Sequence, residues 1–208
     1  GLRYVIYQLV ANCSPRDHTV SIGARGLTHT RYKGCYFWDT DLFLTPFYNL
    51  TDPQAARSLA NFRIGTLPRA KAHAARMNGA GARYPWMVSY DGTEQCESWD
   101  IGCSEVHVTA DVAYALGQYL NWTGDDSLFF QGGAQVLVET ARFWVSRYSP
   151  APEPGKVNLL FCKGPDEYCG ITSNNLFTNT MVKHNLSLAL AAAARLKQEA
   201  PEQYAALG

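Results

Sequence analysis

Two acidic residues with catalytic potential stand in one short turn. Asp166 and Glu167 lie between Gly164-Pro165 and Tyr168, just before a long helical pattern. Gly and Pro together mark a tight turn, so both carboxylates are expected on a loop and not on the solvated face of a helix. We take Glu167 as a candidate catalytic acid held against a sugar. The alternative is that the two acids cap the next helix or lie in water.

Aromatic residues accompany acids at two further places. One is Phe37-Trp38-Asp39, and the other is the segment from Gly79 to Gly102, which has no helical period and contains Tyr84-Pro85-Trp86 and several acids. A connection this long in a compact domain is usually functional or disordered. Aromatic side chains pack in cores and also stack on sugar rings, and the composition leaves both uses open.

The elements that must position these residues are predicted to be helices. Apolar residues recur at helical spacing over 107–121, 133–148 and 176–199, the last capped by Ser173 or Asn174. Shorter helices are expected over 2–11, 42–50, from Asp52-Pro53 to about residue 63, over 66–78 and after residue 201. Only 156–161 resembles a strand. Roughly seven helices, with the aromatic and acidic clusters on long connections, favour a helical toroid over a simple bundle.

The composition is that of a globular chain without net charge. Of 208 residues, 47% are hydrophobic and 17% are charged, with 18 basic and 18 acidic side chains. No basic run predicts nucleic-acid binding, and no apolar run approaches the ~20 residues that span a bilayer. We therefore expect neither nucleic acid nor a membrane as a partner. The chain begins at Gly1 without Met or a signal-peptide pattern, which fits a fragment or a processed product.

The six cysteines favour a reducing compartment. They form no Cys-x-x-Cys pair and have no His at finger spacing, so no metal site is predicted. Cys96 with Cys103, and Cys162 with Cys169, could each close a disulfide in an oxidising compartment, where the sequons at 12, 49, 121 and 185 would also matter. Free thiols in a cytoplasmic protein are the preferred expectation.

The order of motifs resembles the catalytic domain of glycoside hydrolase family 65, which contains inverting disaccharide phosphorylases and some α-glucosidases. The matching pieces are Gly26-Leu27-Thr28, Phe37-Trp38-Asp39-Thr40-Asp41, Gly81-Ala82-Arg83-Tyr84-Pro85-Trp86, Glu105-Val106-His107-Val108-Thr109-Ala110-Asp111, Thr123-Gly124-Asp125, Gly164-Pro165-Asp166-Glu167-Tyr168, Asn174-Asn175 and Thr178-Asn179. Because they follow one another over most of the chain, the match is specific.

The resemblance implies an all-α fold, an (α/α)6 barrel with the sugar bound in its mouth. Residues 1–208 then form a partial catalytic domain, about the first half of the barrel. The second half and the β-sandwich domain that precedes the barrel in the family are expected to lie outside the chain. Half a toroid leaves helix faces uncovered, so we expect it to fold poorly and to be inactive alone. The full-length protein is a candidate homodimer.

The resemblance also implies roles for the clustered residues. Glu167 is the general acid, which protonates the leaving oxygen as the anomeric carbon becomes oxocarbenium-like. Its pKa must be raised by burial or by a nearby negative charge, and Asp166 is a candidate for that charge. Trp38 and Asp39 match the pair that binds the non-reducing glucose, with core packing and helix capping as the alternatives. Trp86 is a candidate second wall of the sugar site, or a packing residue.

The remaining candidates concern the acceptor sugar and the nucleophile. Glu105 and His107 are expected to contact the acceptor or to orient a loop, with a structural histidine as the alternative. Arg63 and Arg83 are expected in salt bridges more than on substrate. No cofactor is implied, but inorganic phosphate is the nucleophile, and therefore the co-substrate, in the phosphorylases. In the hydrolases a second carboxylate activates water, and it would lie outside this chain.

Three residues depart from the family's pattern. Cys35 and Cys169 stand where His is frequent and Met87 where Glu is frequent, which leaves the disaccharide linkage open. Glu94-Gln95-Cys96 with Trp99 is closer to the phosphorylase members. The sequence therefore predicts inverting phosphorolysis of an α-glucosidic disaccharide or oligosaccharide to glucose 1-phosphate. The alternatives are an inverting α-glucosidase of the same family and a non-catalytic helical fragment that binds sugar or pairs with a second chain.

Overall fold

The computed structural model describes residues 1–28 and 31–208 and is mostly helical. Its α-helices are α1 (Leu2–Asn12), α2 (Thr45–Thr51), α3 (Pro53–Gly65), α4 (Leu67–Ala75), α5 (Trp99–Gly102), α6 (Val108–Thr123), α7 (Asp126–Leu128), α8 (Ala134–Arg147), α9 (Leu176–Glu199) and α10 (Pro201–Ala206). Two short strands, β1 (Ser149–Pro150) and β2 (Val157–Asn158), pair antiparallel. The part of the chain that the structure describes is thus an all-α domain with one small hairpin, as predicted.

Caps and breakers set several helix ends where the sequence places them. The Asp52 carboxylate accepts from the N–H of Ala55, 3.1 Å away, and Pro53 starts α3 with no N–H to satisfy. Gly124 ends α6 in the left-handed region, at φ 65°, which only glycine adopts without strain. Pro201 begins α10. These signals are local, so the sequence contained them.

Four details of the predicted helices and strand are wrong. The helix predicted to reach residue 78 ends at Ala75, because the N–H of Gly79 turns back to the Ala74 carbonyl at 2.9 Å. Asn175, and not Ser173 or Asn174, caps α9, since Asn174 is left-handed and its side chain accepts from the N–H of Leu159. The helix predicted over 42–50 opens with a π-helical turn, Thr40–Leu44, and the strand signal over 156–161 yields only β2.

The largest buried cluster centres on α6, between α3, α4 and α8, and α9 packs along α6 and α8. Trp144 is fully buried there and donates its ring N–H to the side-chain oxygen of Asn185 at 3.0 Å. Asn185 donates in turn to the hydroxyl of Thr140, also at 3.0 Å. Satisfied polar groups of this kind fix the register of α8 against α9.

Side chains order the long connection between α4 and α5. The two carboxylate oxygens of Glu94 accept from the backbone N–H groups of Trp86, Met87, Gln95 and Cys96 at 2.7–3.1 Å. Arg83 is buried and donates to the carbonyls of Gly102 and Cys103. The connection has no helical pattern in the sequence, but these hydrogen bonds give it a defined structure that ends in the short helix α5.

Among the described residues, none of the helices combines the length and the apolar character that a membrane span needs.

Candidate active site

Glu167 lies on the connection between β2 and α9, at the start of a short 3-10 turn, Glu167–Cys169. Two backbone hydrogen bonds of 2.8 Å join Cys162 and Thr172 at the base of this connection. Lys163 donates its N–H to the carbonyl of Ser104 at 2.9 Å, which ties the connection to the residue before Glu105. Glu167 itself is exposed, as a group that meets a ligand must be.

Burial and the charges around Glu167 raise its pKa. Burial contributes most, the charge of Glu105 comes next, and Asp100 and Asp39 act in the same direction while Lys163 opposes them. The sequence suggested Asp166 as the repelling neighbour, and that suggestion is wrong. Asp166 turns its carboxylate back onto the N–H of Tyr168 and the thiol of Cys169, at 3.0 and 2.9 Å.

Glu105 and His107 both lie beneath the surface. They are 1% and 0% exposed, and so is Asp111 at 0%, which decides that none of them meets solvent in this structure. Nδ1 of His107 lies 2.6 Å from Asp111, and its Nε2 lies 3.6 Å from Glu105. Burial opposes the charged imidazolium, but the two carboxylates outweigh it and raise the pKa of His107 to about 9. Nε2 of His107 and one oxygen of Glu105 have no hydrogen-bond partner among the described residues, so contact with an acceptor sugar stays a prediction.

Trp38 lies over His107, at the end of the connection that leads into the π-helical turn. The indole is half-buried, and its ring meets the imidazole edge to face with centroids 4.9 Å apart. Asp39 is exposed beside it, and neither its carboxylate nor any other side chain caps the turn that follows. The capping alternative for Asp39 is thereby not supported. Trp38 is thus partly open next to Asp39, which is one of the charges that act on Glu167.

Trp86 has a mixed environment. Its ring meets Phe37 edge to face at 4.9 Å, next to a small buried cluster formed by Cys35, Phe37 and Met87. Its ring N–H is buried without a hydrogen-bond partner among the described residues. Trp86 is thus at least in part a packing residue. Its unsatisfied N–H is free to donate to a bound ligand, so the predicted role as a wall of the sugar site stays a prediction.

The family model of the glycosyl hydrolase family 65 central catalytic domain matches residues 3–206. The chain belongs to glycosyl hydrolase family 65. It is 37% identical over 205 residues to the alpha,alpha-trehalose phosphorylase of Thermoanaerobacter brockii. This alignment covers 98% of the chain and 26% of that relative. It is 36% identical over 218 residues to the kojibiose phosphorylase of Caldanaerobacter subterraneus subsp. tengcongensis, covering 100% and 28%.

The chain is also similar to a solved structure from the human microbiome, which carries the provisional name kojibiose phosphorylase. The TM-score is 0.88 at 30% identity, and the match covers 95% of this chain and 28% of the other. The predicted (α/α) barrel class is confirmed by this likeness. The chain spans about a quarter of the length of the relatives it matches.

Sequence reasoning missed one contact beside Glu167, the pairing of Lys163 with Asp100. The side chain of Lys163 is buried and its amine pairs with Asp100 at 3.0 Å, which joins the Glu167 connection to α5. The partners are far apart in sequence, and no local spacing signals such a pair. Arg63 forms a buried salt bridge with Asp41, as expected, whereas Arg83 donates to backbone carbonyls in place of the expected salt bridge. Within the described residues no group of His, Cys, Asp or Glu side chains is arranged to hold a metal ion.

Proposed function

We propose that the protein carrying this chain performs inverting phosphorolysis of an α-glucosidic disaccharide or oligosaccharide. The observation that carries the proposal is the environment of Glu167. Its carboxyl group is exposed on a connection that backbone hydrogen bonds hold in place, and the charges of Glu105, Asp100 and Asp39 act on it. A raised pKa keeps a carboxyl group protonated towards neutral pH, as a general acid requires. The family and the names of the relatives, trehalose, kojibiose and maltose phosphorylases, support the reaction class.

The proposed reaction breaks one bond and forms one. Glu167 donates its proton to the glycosidic oxygen, so the acceptor sugar leaves as an alcohol. An oxygen of inorganic phosphate attacks the anomeric carbon from the opposite face and forms glucose 1-phosphate with inverted configuration. Phosphate supplies the electron pair, so no protein base is needed. No metal or organic cofactor enters this scheme.

Trp38 and Asp39 are the proposed binding residues for the glucose that is transferred. The half-buried indole offers a flat apolar surface, and the exposed carboxylate of Asp39 can accept from two sugar hydroxyls. Trp86, through its unsatisfied ring N–H, is a proposed wall of the same site. Glu105 and His107 are proposed to act from below this surface.

Incubation of the complete protein with kojibiose, trehalose and maltose, with and without phosphate, tests the reaction class. We expect glucose 1-phosphate only when phosphate is present, and NMR of the product should show the β anomer because an α linkage is inverted. Free glucose released at the same rate without phosphate would contradict phosphorolysis and identify an α-glucosidase. Absence of turnover on all α-glucosides would favour a sugar-binding domain.

We also propose that the protein works in a reducing compartment such as the cytoplasm. All six cysteines are free, so neither candidate disulfide, Cys96–Cys103 or Cys162–Cys169, is formed. Thiol titration of the unfolded, non-reduced protein checks this and should find every cysteine reactive. A homodimer of the complete protein stays a prediction, which sedimentation equilibrium can test.

A further inference from the structure

A row of buried polar side chains leads from α6 towards Glu167. Asp111, His107 and Glu105 follow one another through contacts of 2.6 and 3.6 Å. At the inner end, the charges of Asp41 and Arg63 act on Asp111 in opposite directions. At the outer end, one oxygen of Glu105 has no hydrogen-bond partner among the described residues. A buried carboxylate oxygen without a partner is unusual in a folded protein, so it calls for an explanation.

Four groups surround the imidazole of His107. Asp111 and Glu105 lie at its two nitrogens, and Trp38 and Phe177 lie against its ring. The two ring contacts are nearly perpendicular, with interplanar angles of 82° and 88° and centroids 4.9 and 5.5 Å apart. Nε2 itself has no hydrogen-bond partner among the described residues, so the bond from Nδ1 to Asp111 and the two aromatic rings are the contacts that orient the imidazole.

Glu105 is held close to the Glu167 connection by the backbone. The N–H of Lys163 donates to the carbonyl of Ser104, the residue before Glu105. The charges that act on Glu167 are Glu105, Asp100 and Asp39 from other segments, and Lys163 from its own. Asp166 and Cys169, also on its own connection, bond to each other instead.

We propose that His107 is a positioning residue for the Glu167 acid, which it serves by holding Glu105 and Trp38 in place without touching the substrate. This inference rests on the proposed role of Glu167. The imidazolium is the ion-pair partner of Glu105 within the described part of the chain. Without His107, the carboxylate of Glu105 loses a contact that holds it in its present position, so its charge would repel that of Glu167 less.

The test is the pH profile of kcat/KM for three variants of the complete protein: His107→Gln, Glu105→Gln and the double variant. With the charge of Glu105 removed or displaced, Glu167 loses its proton at lower pH, so we expect the alkaline limb to move down by about one pH unit in both single variants. The double variant should move no further than either single one. The KM for the sugar should also rise in His107→Gln, through Trp38, and not in Glu105→Gln.

His73→Gln is the matched control, because His73 is another poorly exposed histidine but lies on α4 and is not among the groups that act on Glu167. Its alkaline limb should coincide with that of the wild type, and the ionisation of phosphate is common to all variants. An unmoved limb in Glu105→Gln, or additive shifts in the double variant, would overturn the inference even if His107→Gln folds poorly.

The profile can be followed through whichever sugar product is released, so a hydrolytic reaction leaves this test intact. Glu167→Gln is assayed in parallel. Full turnover there would contradict the proposed acid, whereas an unmoved limb with an inactive Glu167→Gln would contradict only the role of His107.

Discussion

Two histidines of this domain have opposite surroundings. His107 lies between Glu105 and Asp111, which raise its pKa to about 9. His73, on α4, is kept neutral, since burial and the charges of Arg83 and Arg76 lower its pKa to about 4. The same side chain is thus a cation at one place and a neutral ring at the other. The protonation state of each imidazole therefore follows the sign of the charges around it.

The difference teaches that a chain without net charge can be locally polarised. Near Glu167 the carboxylates of Glu105, Asp100 and Asp39 outnumber the amine of Lys163. Around His73 the neighbouring charges are arginines, and Arg83 serves to order a long connection through backbone carbonyls. Negative charge therefore collects around the proposed acid, and positive charge collects beside an ordered connection.

Loss of the acid itself should give the largest effect. Glu167→Gln keeps the size of the side chain but removes its proton, so we expect kcat to fall by about 10²–10⁴-fold. Because Glu167 is exposed, the melting temperature should stay within the error of the wild type. Initial rates of glucose 1-phosphate formation and a thermal melt measure the two quantities. Near-normal turnover would show that the negative surroundings serve another group.

The two histidines should affect stability in opposite pH ranges. His107 is protonated up to about pH 9 in the folded protein, against an ordinary pKa of 6.5, so its stabilisation is complete below pH 6.5 and disappears as the pH rises to 9. His73 must lose a proton to fold, so it costs stability as the pH falls from 6.5 towards 4. Each effect is expected to be about 1–3 kcal/mol.

Denaturant unfolding at several pH values tests this in His107→Gln and His73→Gln. The first variant should lose the decline in the free energy of unfolding between pH 6.5 and 9, and the second should lose the decline between pH 6.5 and 4. Burial raises the pKa of Asp111 to about 6, so this group titrates below the range from pH 6.5 to 9. Its titration is common to the wild type and His73→Gln. Parallel curves for wild type and both variants would remove the contrast.

The sequence predicted those features of the fold and of the candidate site that depend on local signals. Asp52-Pro53 and Gly124 located helix ends, and the Gly164-Pro165 turn located Glu167 on a connection. The charge around Glu167 was not predictable, because it comes from residues distant in sequence. The nearest acid in sequence, Asp166, turns away, while Glu105 is brought in by a backbone contact between distant segments.

Burial was equally hidden for the residues that family resemblance put in the site. Trp38 and His107 are far apart in the chain, and only the folded structure shows that one ring lies on the other. A histidine at a helix start has the same sequence appearance whether it meets a sugar or supports the residue that does. The residue type was therefore predictable, and the layer in which it lies was not.

The smallest expected effect belongs to the cation that opposes the carboxylates. The amine of Lys163 lowers the pKa of Glu167 and pairs with Asp100, which is half exposed and stays hydrated without it. In Lys163→Gln the pKa of Glu167 should rise, so the alkaline limb of kcat/KM should move up by roughly half a pH unit, as a single partly exposed ion pair allows. This direction is opposite to that expected for Glu105→Gln, and pH–rate profiles of both variants measured together provide the check. If both limbs moved the same way, the local excess of negative charge would not be what sets the ionisation of Glu167.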